Sequence, residues 1–307
     1  TVRLGGDCRL LRGVPAASLP ADLARDFRLM LAECHLRAQR TEEARQELRA
    51  LLSSGESDLA AFRAAELWLA RWPQPDSRDL ARKLGTVLAK QRDFAAAVPL
   101  LEQALEGTAD LGSGDDSAAL YLLARAEFWS GKFAAAAGHF DRLAAVARQA
   151  AIRADARYQQ ARSLELAGDW VSALRLFEEA YAAEPLGEWS GAAVLSSFRL
   201  RWLAGDEAGA DKLLEHLASQ RIWRSSLARG ALFAAVSGIV RGDGSERPAA
   251  HLRAAELSGA AAREDLAYWR GRIAELRGEL PAAVGHYLQV LRERPFHPLA
   301  TAARARL

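Results

Sequence analysis

The stretch at 268–280, "YWRGRIAELRGEL", decides the fold, because its outline is written three more times upstream. Residues 121–133 read "YLLARAEFWSGKF", 158–170 read "YQQARSLELAGDW" and 195–207 read "LSSFRLRWLAGDE". Each copy holds an arginine four residues after its first position (Arg125, Arg162, Arg199, Arg272) and a glycine ten after it (Gly131, Gly168, Gly205, Gly278). Five residues past the glycine stands an alanine (Ala136, Ala173, Ala210, Ala283), and four beyond that a large apolar residue (Phe140, Phe177, Leu214, Tyr287). Two earlier segments fit the same frame. Residues 80–105 place Gly85, Ala97, Leu101 and Ala104, and 26–52 place Ala32, Ala44, Leu48 and Leu51.

The alanines fall at 44, 97, 136, 173, 210 and 283, with gaps of 53, 39, 37, 37 and 73. The gap of 73 holds two units, one of them degenerate around 242–257; the gap of 53 holds one unit and an added helix at 58–72. Apolar spacing at i, i+3, i+4 and i+7 gives two amphipathic helices per unit. The glycine ends the first helix by taking a left-handed backbone. The alanine lets the two helices approach closely, and one unit cannot bury its apolar face alone, so units stack. This period and pattern resemble the tetratricopeptide repeat. The predicted fold is therefore all-α: an α-α superhelix, a tetratricopeptide-like solenoid of antiparallel helix pairs, with about eight pairs at ~35 residues each. One solenoid is expected over 1–307, with an N-terminal extension at 1–25, repeats at 26–257, and a last repeat with a closing helix at 258–307. Loops are expected at 107–117, 184–191 and 241–248, and Pro185 and Pro295 close their units.

Composition supports this reading. Half the residues are apolar, alanine and leucine dominate, and no strand-like alternation recurs. The net charge of +2 gives no support to nucleic acid as a partner. Only four of the 41 basic residues are lysine (Lys83, Lys90, Lys132, Lys212). A genome rich in G and C produces that bias, as does a preference for arginine's planar fork. The two cysteines, Cys8 and Cys34, are too few for a disulfide framework and do not identify a compartment. The longest apolar run, at 231–240, is half of the roughly 20 residues that a membrane span needs, so no transmembrane helix is expected. The chain starts at Thr1 without a signal peptide, so a leader was removed or this is a piece of a longer protein. "LGGDC" at 4–8 fails as a lipoprotein site because Asp7 stands where a small residue is required.

The first helix of such a unit lines the inner face of the solenoid. That places Tyr121, Arg125, Tyr158, Arg162, Arg199, Trp202, Tyr268 and Arg272 as a candidate groove stripe, each tyrosine one turn before its arginine. Two roles compete for it. In the architectural one, tyrosine packs on the next helix and arginine pairs with Glu127, Glu165 or Glu275. In the functional one, arginines give bidentate hydrogen bonds to carboxylates and rings give flat faces for a peptide or glycan. No catalytic motif is present. The six histidines have no metal-ligand spacing, "SGKF" at 130–133 lacks the rest of a phosphate loop, and G-x-S-x-G does not occur. His139 and His286 share one repeat position, which points to packing. No cofactor or metal is called for.

Residues 267–307 carry a second resemblance. Tyr268, Trp269 and Arg272, then Gly278, Ala283 and Tyr287, then a closing helix at 303–307, are similar to the end of the helical superhelix in soluble lytic murein transglycosylases. The chain departs from that family at "PFHPLA" (295–300), where paired aromatics are usual. It also lacks the catalytic Glu-Ser motif with its Gly-Leu-Met-Gln-like run; Glu56-Ser57 is expected in an inter-helix turn of the array and not as a catalytic site, since a catalytic carboxyl needs a cleft that shifts its pKa. The resemblance implies the non-catalytic superhelix of a bacterial periplasmic or envelope enzyme, engaging peptidoglycan or partner proteins. The alternatives are a free-standing adaptor holding a peptide in its groove, in the envelope or the cytoplasm, and the repeat region of a cytoplasmic regulatory protein.

Overall fold

A residue in the left-handed backbone region closes the first helix of almost every repeat. Gly131, Gly168, Gly205, Gly242 and Gly278 have φ between 74° and 93°, values open to glycine because it has no Cβ. Where the repeat lacks the glycine, Gln39 (φ 59°) and Arg92 (φ 67°) take the same conformation, at a cost on the order of 1 kcal/mol each. An aspartate follows in three of these turns and caps the second helix. Asp93, Asp169 and Asp206 accept from the amides of Ala96, Ser172 and Gly209 at 3.3, 3.1 and 2.9 Å.

The computed structural model describes residues 19–307 apart from 109–110 and 112–113. Most of the N-terminal extension, Cys8 and the 4–8 stretch among it, and part of the 107–117 loop therefore lie outside the described residues. Among the described residues the chain is all-helical, with sixteen α-helices, one 3₁₀ turn (Arg221–Trp223) and no strand. It divides into two compact units, Thr1–Gly168 and Asp169–Leu307.

The first unit carries α1 (Ala21–Arg37), α2 (Thr41–Leu52), α3 (Leu59–Arg71), α4 (Arg78–Lys90), α5 (Phe94–Leu105), α6 (Gly114–Trp129), α7 (Phe133–Val146) and α8 (Ala150–Ala167). Helices pair as α1 with α2, α4 with α5 and α6 with α7; α3 lies between α2 and α4, and α4 also meets α6. The second unit carries α9 (Trp170–Ala183), α10 (Ser190–Leu203), α11 (Glu207–Ser219), α12 (Arg224–Val240), α13 (Glu246–Leu257), α14 (Arg263–Leu276), α15 (Leu280–Glu293) and α16 (Pro298–Arg304). Its pairs are α10 with α11, α12 with α13 and α14 with α15, closed by α16 against α15 and α14. The first helices α10, α12 and α14 meet in sequence.

The spaced alanines are the points of closest approach. Ala44, Ala97 and Ala136 in the first unit, and Ala173 and Ala210 in the second, have no exposed surface. Opposite them the first helices thin down as well. A Cβ at Gly85 would stand 2.7 Å from Leu101 Cγ, and one at Gly271 would stand 2.6 Å from Tyr287 Cε1.

The added helix expected at 58–72 is α3. The sixteen described helices agree with the roughly eight pairs expected from the length, with α3 as the added helix and α16 as the closing one. The degenerate unit at 242–257 is a full second helix, α13, packed on α12. Helix α1 starts directly after Pro20, inside the stretch read as an extension; Pro20, with φ fixed near −51°, sits at its N-cap. Glu56 and Ser57 lie between α2 and α3, outside any helix. Cys34 on α1 is disulfide-bonded. Among the described residues no helix is long and apolar enough to cross a membrane.

Asp58 ties α3 to α1. Its carboxylate caps α3 at the Ala61 amide (2.8 Å) and takes two hydrogen bonds from Arg25, at 2.8 and 2.9 Å. The Arg25 hydrogen bond, helped by the Ala61 amide, outweighs burial and holds the carboxyl below the usual aspartate range. A depressed folded pKa contributes stability that is present above the unfolded value near 3.9 and lost as pH falls through the folded value. Asp58→Ala is expected to destabilise the first unit by about 0.5–2 kcal/mol at pH 7. The gap between variant and parent closes as the pH drops from about 5 towards 2. Urea titrations at several pH values measure this; a gap independent of pH would show that the carboxylate charge is not involved.

Candidate functional site

The predicted stripe behaves differently in the two units. In the first unit its arginines lie on aromatic rings. Arg125 on α6 is exposed, with its guanidinium carbon 5.6 Å from the Tyr121 ring centroid, one turn back on the same helix. Tyr121 is half-buried and meets Phe140 edge-on at 6.0 Å. Arg162 on α8 lies 4.9 Å from the Phe128 ring of α6 and 5.9 Å from its own Tyr158, and donates to Gln159 Oε1 at 3.0 Å. Tyr158 is buried and serves as a floor for the guanidinium.

The stack continues through residues outside the predicted stripe. Phe128 meets Trp129 edge-on at 5.5 Å; Arg92 lies 5.4 Å from the Trp129 ring and 5.9 Å from that of Phe94. Trp129 is about half exposed, at 51%. Glu127, an architectural partner proposed for arginine, is buried and goes instead to His139, whose Nδ1 is 2.6 Å from its Oε2.

In the second unit the contacts are ionic. Arg272 Nε is 3.1 Å from Glu275 Oε2, and Glu275 also accepts from Tyr287 Oη at 2.8 Å and from Arg306 at 3.2 Å. Burial of Glu275 is outweighed by the Tyr287 and Arg306 hydrogen bonds, so its pKa falls; burial and the Glu275 bond push Tyr287 up. Tyr268 is buried against Trp269 (5.0 Å) and Tyr287 (5.8 Å). Arg199 is half-buried and already engaged. Trp202 is buried beneath Arg241 (5.5 Å) and Arg247 (5.0 Å), both paired with Glu207. The arginine row breaks on α12, where Val236 stands six residues before Gly242.

Between α4, α6 and the 55–57 turn lies a cleft of about 260 Å³. Val87, Ala119 and Leu122 form its apolar part, and Ser57, Thr86 and Lys90 stand on its polar part. Ser57 Oγ is buried without a hydrogen-bond partner. Lys83, paired with Asp79 at 2.6 Å, lines it too. Two of the chain's four lysines thus meet here. Their scarcity among arginines was the one available signal in the sequence; the cleft itself joins residues of separate repeats. Among the described residues no group of three or more His, Cys, Asp or Glu side chains is placed to hold a metal ion.

A family model described as "Tetratricopeptide repeat" matches residues 16–61 and 82–151. No curated protein matches the chain by sequence. Among solved structures, it is similar to the C-terminal part of a TPR repeat-containing protein from Cytophaga hutchinsonii, at 11% identity, covering 84% of this chain and 98% of that one, with a TM-score of 0.58. PilW, a widely conserved type IV pilus biogenesis factor, gives 15% identity, 73% and 97% coverage, and a TM-score of 0.49. A tetratricopeptide repeat protein from Parabacteroides merdae gives 15%, 84% and 94%, and 0.48. At these identities the likeness concerns the fold alone, and the two scores below 0.5 add nothing to it. Helix content, left-handed turn glycines, buried alanines and the family match converge: the chain is a tetratricopeptide-like helical repeat protein.

Proposed function

We propose that the chain is an adaptor that holds a segment of another protein against the first helices of its repeats. The cleft between α4 and α6 carries this reading. It sets an apolar floor beside a hydroxyl (Thr86), an unpaired buried hydroxyl (Ser57) and an ammonium (Lys90). An apolar side chain and its flanking main-chain polar groups need that combination together. Lys90 has no carboxylate partner among the described residues. The first-unit part of the predicted stripe supports the same role, with Tyr121, Phe128 and Tyr158 as rings under Arg125 and Arg162. The disulfide at Cys34 supports an oxidising compartment such as the bacterial cell envelope.

The likeness of the C-terminal residues to lytic murein transglycosylases gains nothing from the comparisons, and the adaptor reading takes precedence over a murein-binding one. Thr86→Trp fills the cleft from a half-buried position. The immobilised chain is expected to retain a defined protein from extract of its own source, and Thr86→Trp to reduce that retention about tenfold while its melting temperature stays unchanged. Equal retention by the variant would reject the cleft as the site. Binding to insoluble peptidoglycan with no protein retained would replace the adaptor reading with the murein one.

A further inference from the structure

In the second unit, each connection from a second helix into the next first helix presents a large apolar side chain to solvent. The four are Leu186 between α9 and α10, Ile222 between α11 and α12, Leu257 at the end of α13, and Phe296 between α15 and α16, all between 70% and 99% exposed. Short connections join antiparallel neighbours, and α10, α12 and α14 meet in sequence, so these connections lie at one end of the helix pairs. The first unit does not repeat this. Its turns at 53–58 and 147–149 hold no large apolar residue, Trp72 is half-buried and Leu111 is buried. A single exposed apolar side chain is ordinary on any surface, whereas a row of them along one edge marks an interaction site.

Cations flank three of the four. Ile222 stands between Arg221 and Arg224, Arg263 follows Leu257 across its turn, and Arg292 precedes Phe296. These arginines are exposed and, among the described residues, take no carboxylate partner. The acidic groups close by in sequence are engaged or withdrawn. Glu256 pairs with Arg270 and Glu264 with Arg294, Glu293 accepts from Gln289, and Asp265 is half-buried. Leu186 differs, since it lies between Glu184 and Glu188.

We propose that this end of the second unit docks on an anionic lipid surface, with Ile222, Leu257 and Phe296 entering the interface and Arg221, Arg224, Arg263 and Arg292 meeting headgroup phosphates. Peripheral membrane sites combine these two elements, apolar side chains at the acyl boundary and cations at the headgroups. A fluid surface receives separate side chains without a matching pocket. Protein interfaces centre instead on anchors and the pockets they fill, and the cleft of this unit, at Trp202 and His251, is lined by none of the four. Leu186, with its acidic flanks, contributes least. The surface belongs to the second unit, so it stands or falls independently of the α4–α6 cleft.

Co-sedimentation of the full chain with vesicles tests this, using phosphatidylcholine alone and phosphatidylcholine mixed with phosphatidylglycerol. Binding to the mixed vesicles is expected to be at least about tenfold stronger and to weaken as salt rises. Ile222→Asp and Phe296→Asp, both at exposed side chains, should each lower it about fivefold or more, and together abolish it. Leu186→Asp should change it less. Val171→Asp is the control, an exposed apolar residue near the start of α9, away from the 184–189 turn, and should leave binding unchanged. Equal sedimentation with both vesicle types, or by the parent and the double variant with native melting curves, overturns the proposal. An equal loss in Val171→Asp also overturns it, by showing adhesion that no particular edge directs. A dimer in solution that Phe296→Asp returns to monomer, with no vesicle binding by the parent, would make this edge a contact between copies of the chain and reject the lipid.

Discussion

Tyr287→Ala lowers the unfolding free energy of the second unit by about 3–5 kcal/mol, the range for deleting a fully buried aromatic side chain. The ring is 1% exposed, fills the space left by Gly271, lies 5.8 Å from Tyr268, and ends on Glu275. Its hydroxyl holds a carboxylate that also receives Arg272 and Arg306. Tyr287→Phe keeps the packing and removes that bond, for a loss of about 1.5–3 kcal/mol. Gly271→Ala forces a methyl group against the same ring and costs about 1–3 kcal/mol. In the Tyr287→Ala background the methyl enters the vacated space, so its cost should vanish; the coupling is read from a double-mutant cycle of urea midpoints. Additive losses would mean that Gly271 and Tyr287 do not share a packing site.

Trp68→Ala is expected to cost the first unit a similar amount, about 3–5 kcal/mol. Trp68 has no exposed surface and joins α3 to α2, for Arg45 and Arg49 of α2 lie 5.5 and 5.4 Å from its ring and meet Asp76 beyond it. Its neighbour Trp72 stands 5.0 Å away and also carries Arg45, at 5.6 Å. Removing the ring leaves Arg49 without a floor, leaves Arg45 on Trp72 alone, and opens a cavity under α3. Beyond the loss of stability, the turns on either side of α3 should become sensitive to limited proteolysis under native conditions. A variant that melts lower without new cleavage near 53–58 or 72–77 would place the loss elsewhere in the unit.

The repeat was legible because its markers act through the backbone. A glycine that must be left-handed, an alanine that admits no larger group and an aspartate that caps the next helix are each tied to local geometry. Their spacing therefore shows in the sequence. The arginines were half legible. Their register on first helices follows from the glycines, but their partners, on the same helix or another, follow no period. Arg162 finds Phe128, 34 positions away, while Arg272 takes Glu275, three positions on. Arg92 lies outside the stripe because it occupies the position where the pattern looks for glycine. Trp202 shared the stripe's spacing, yet Arg241 and Arg247 cover it, since the α12–α13 turn folds over that end of α10.

Helix α3 has a wider consequence. It enters the chain between two repeats, and α4 and α5 then resume the alanine and capping positions as though nothing had intervened. Each pair sets its own phase from its own turn, so an inserted segment is absorbed at the seam and does not propagate as a frame error to later packing. A protein built this way can lengthen by accretion, with new elements tolerated first and given a role afterwards. The exposed side of such an insert, here Leu59, Arg63, Glu66, Ala70 and Arg71 of α3, is where substitutions should be absorbed without disturbing the repeats on either side.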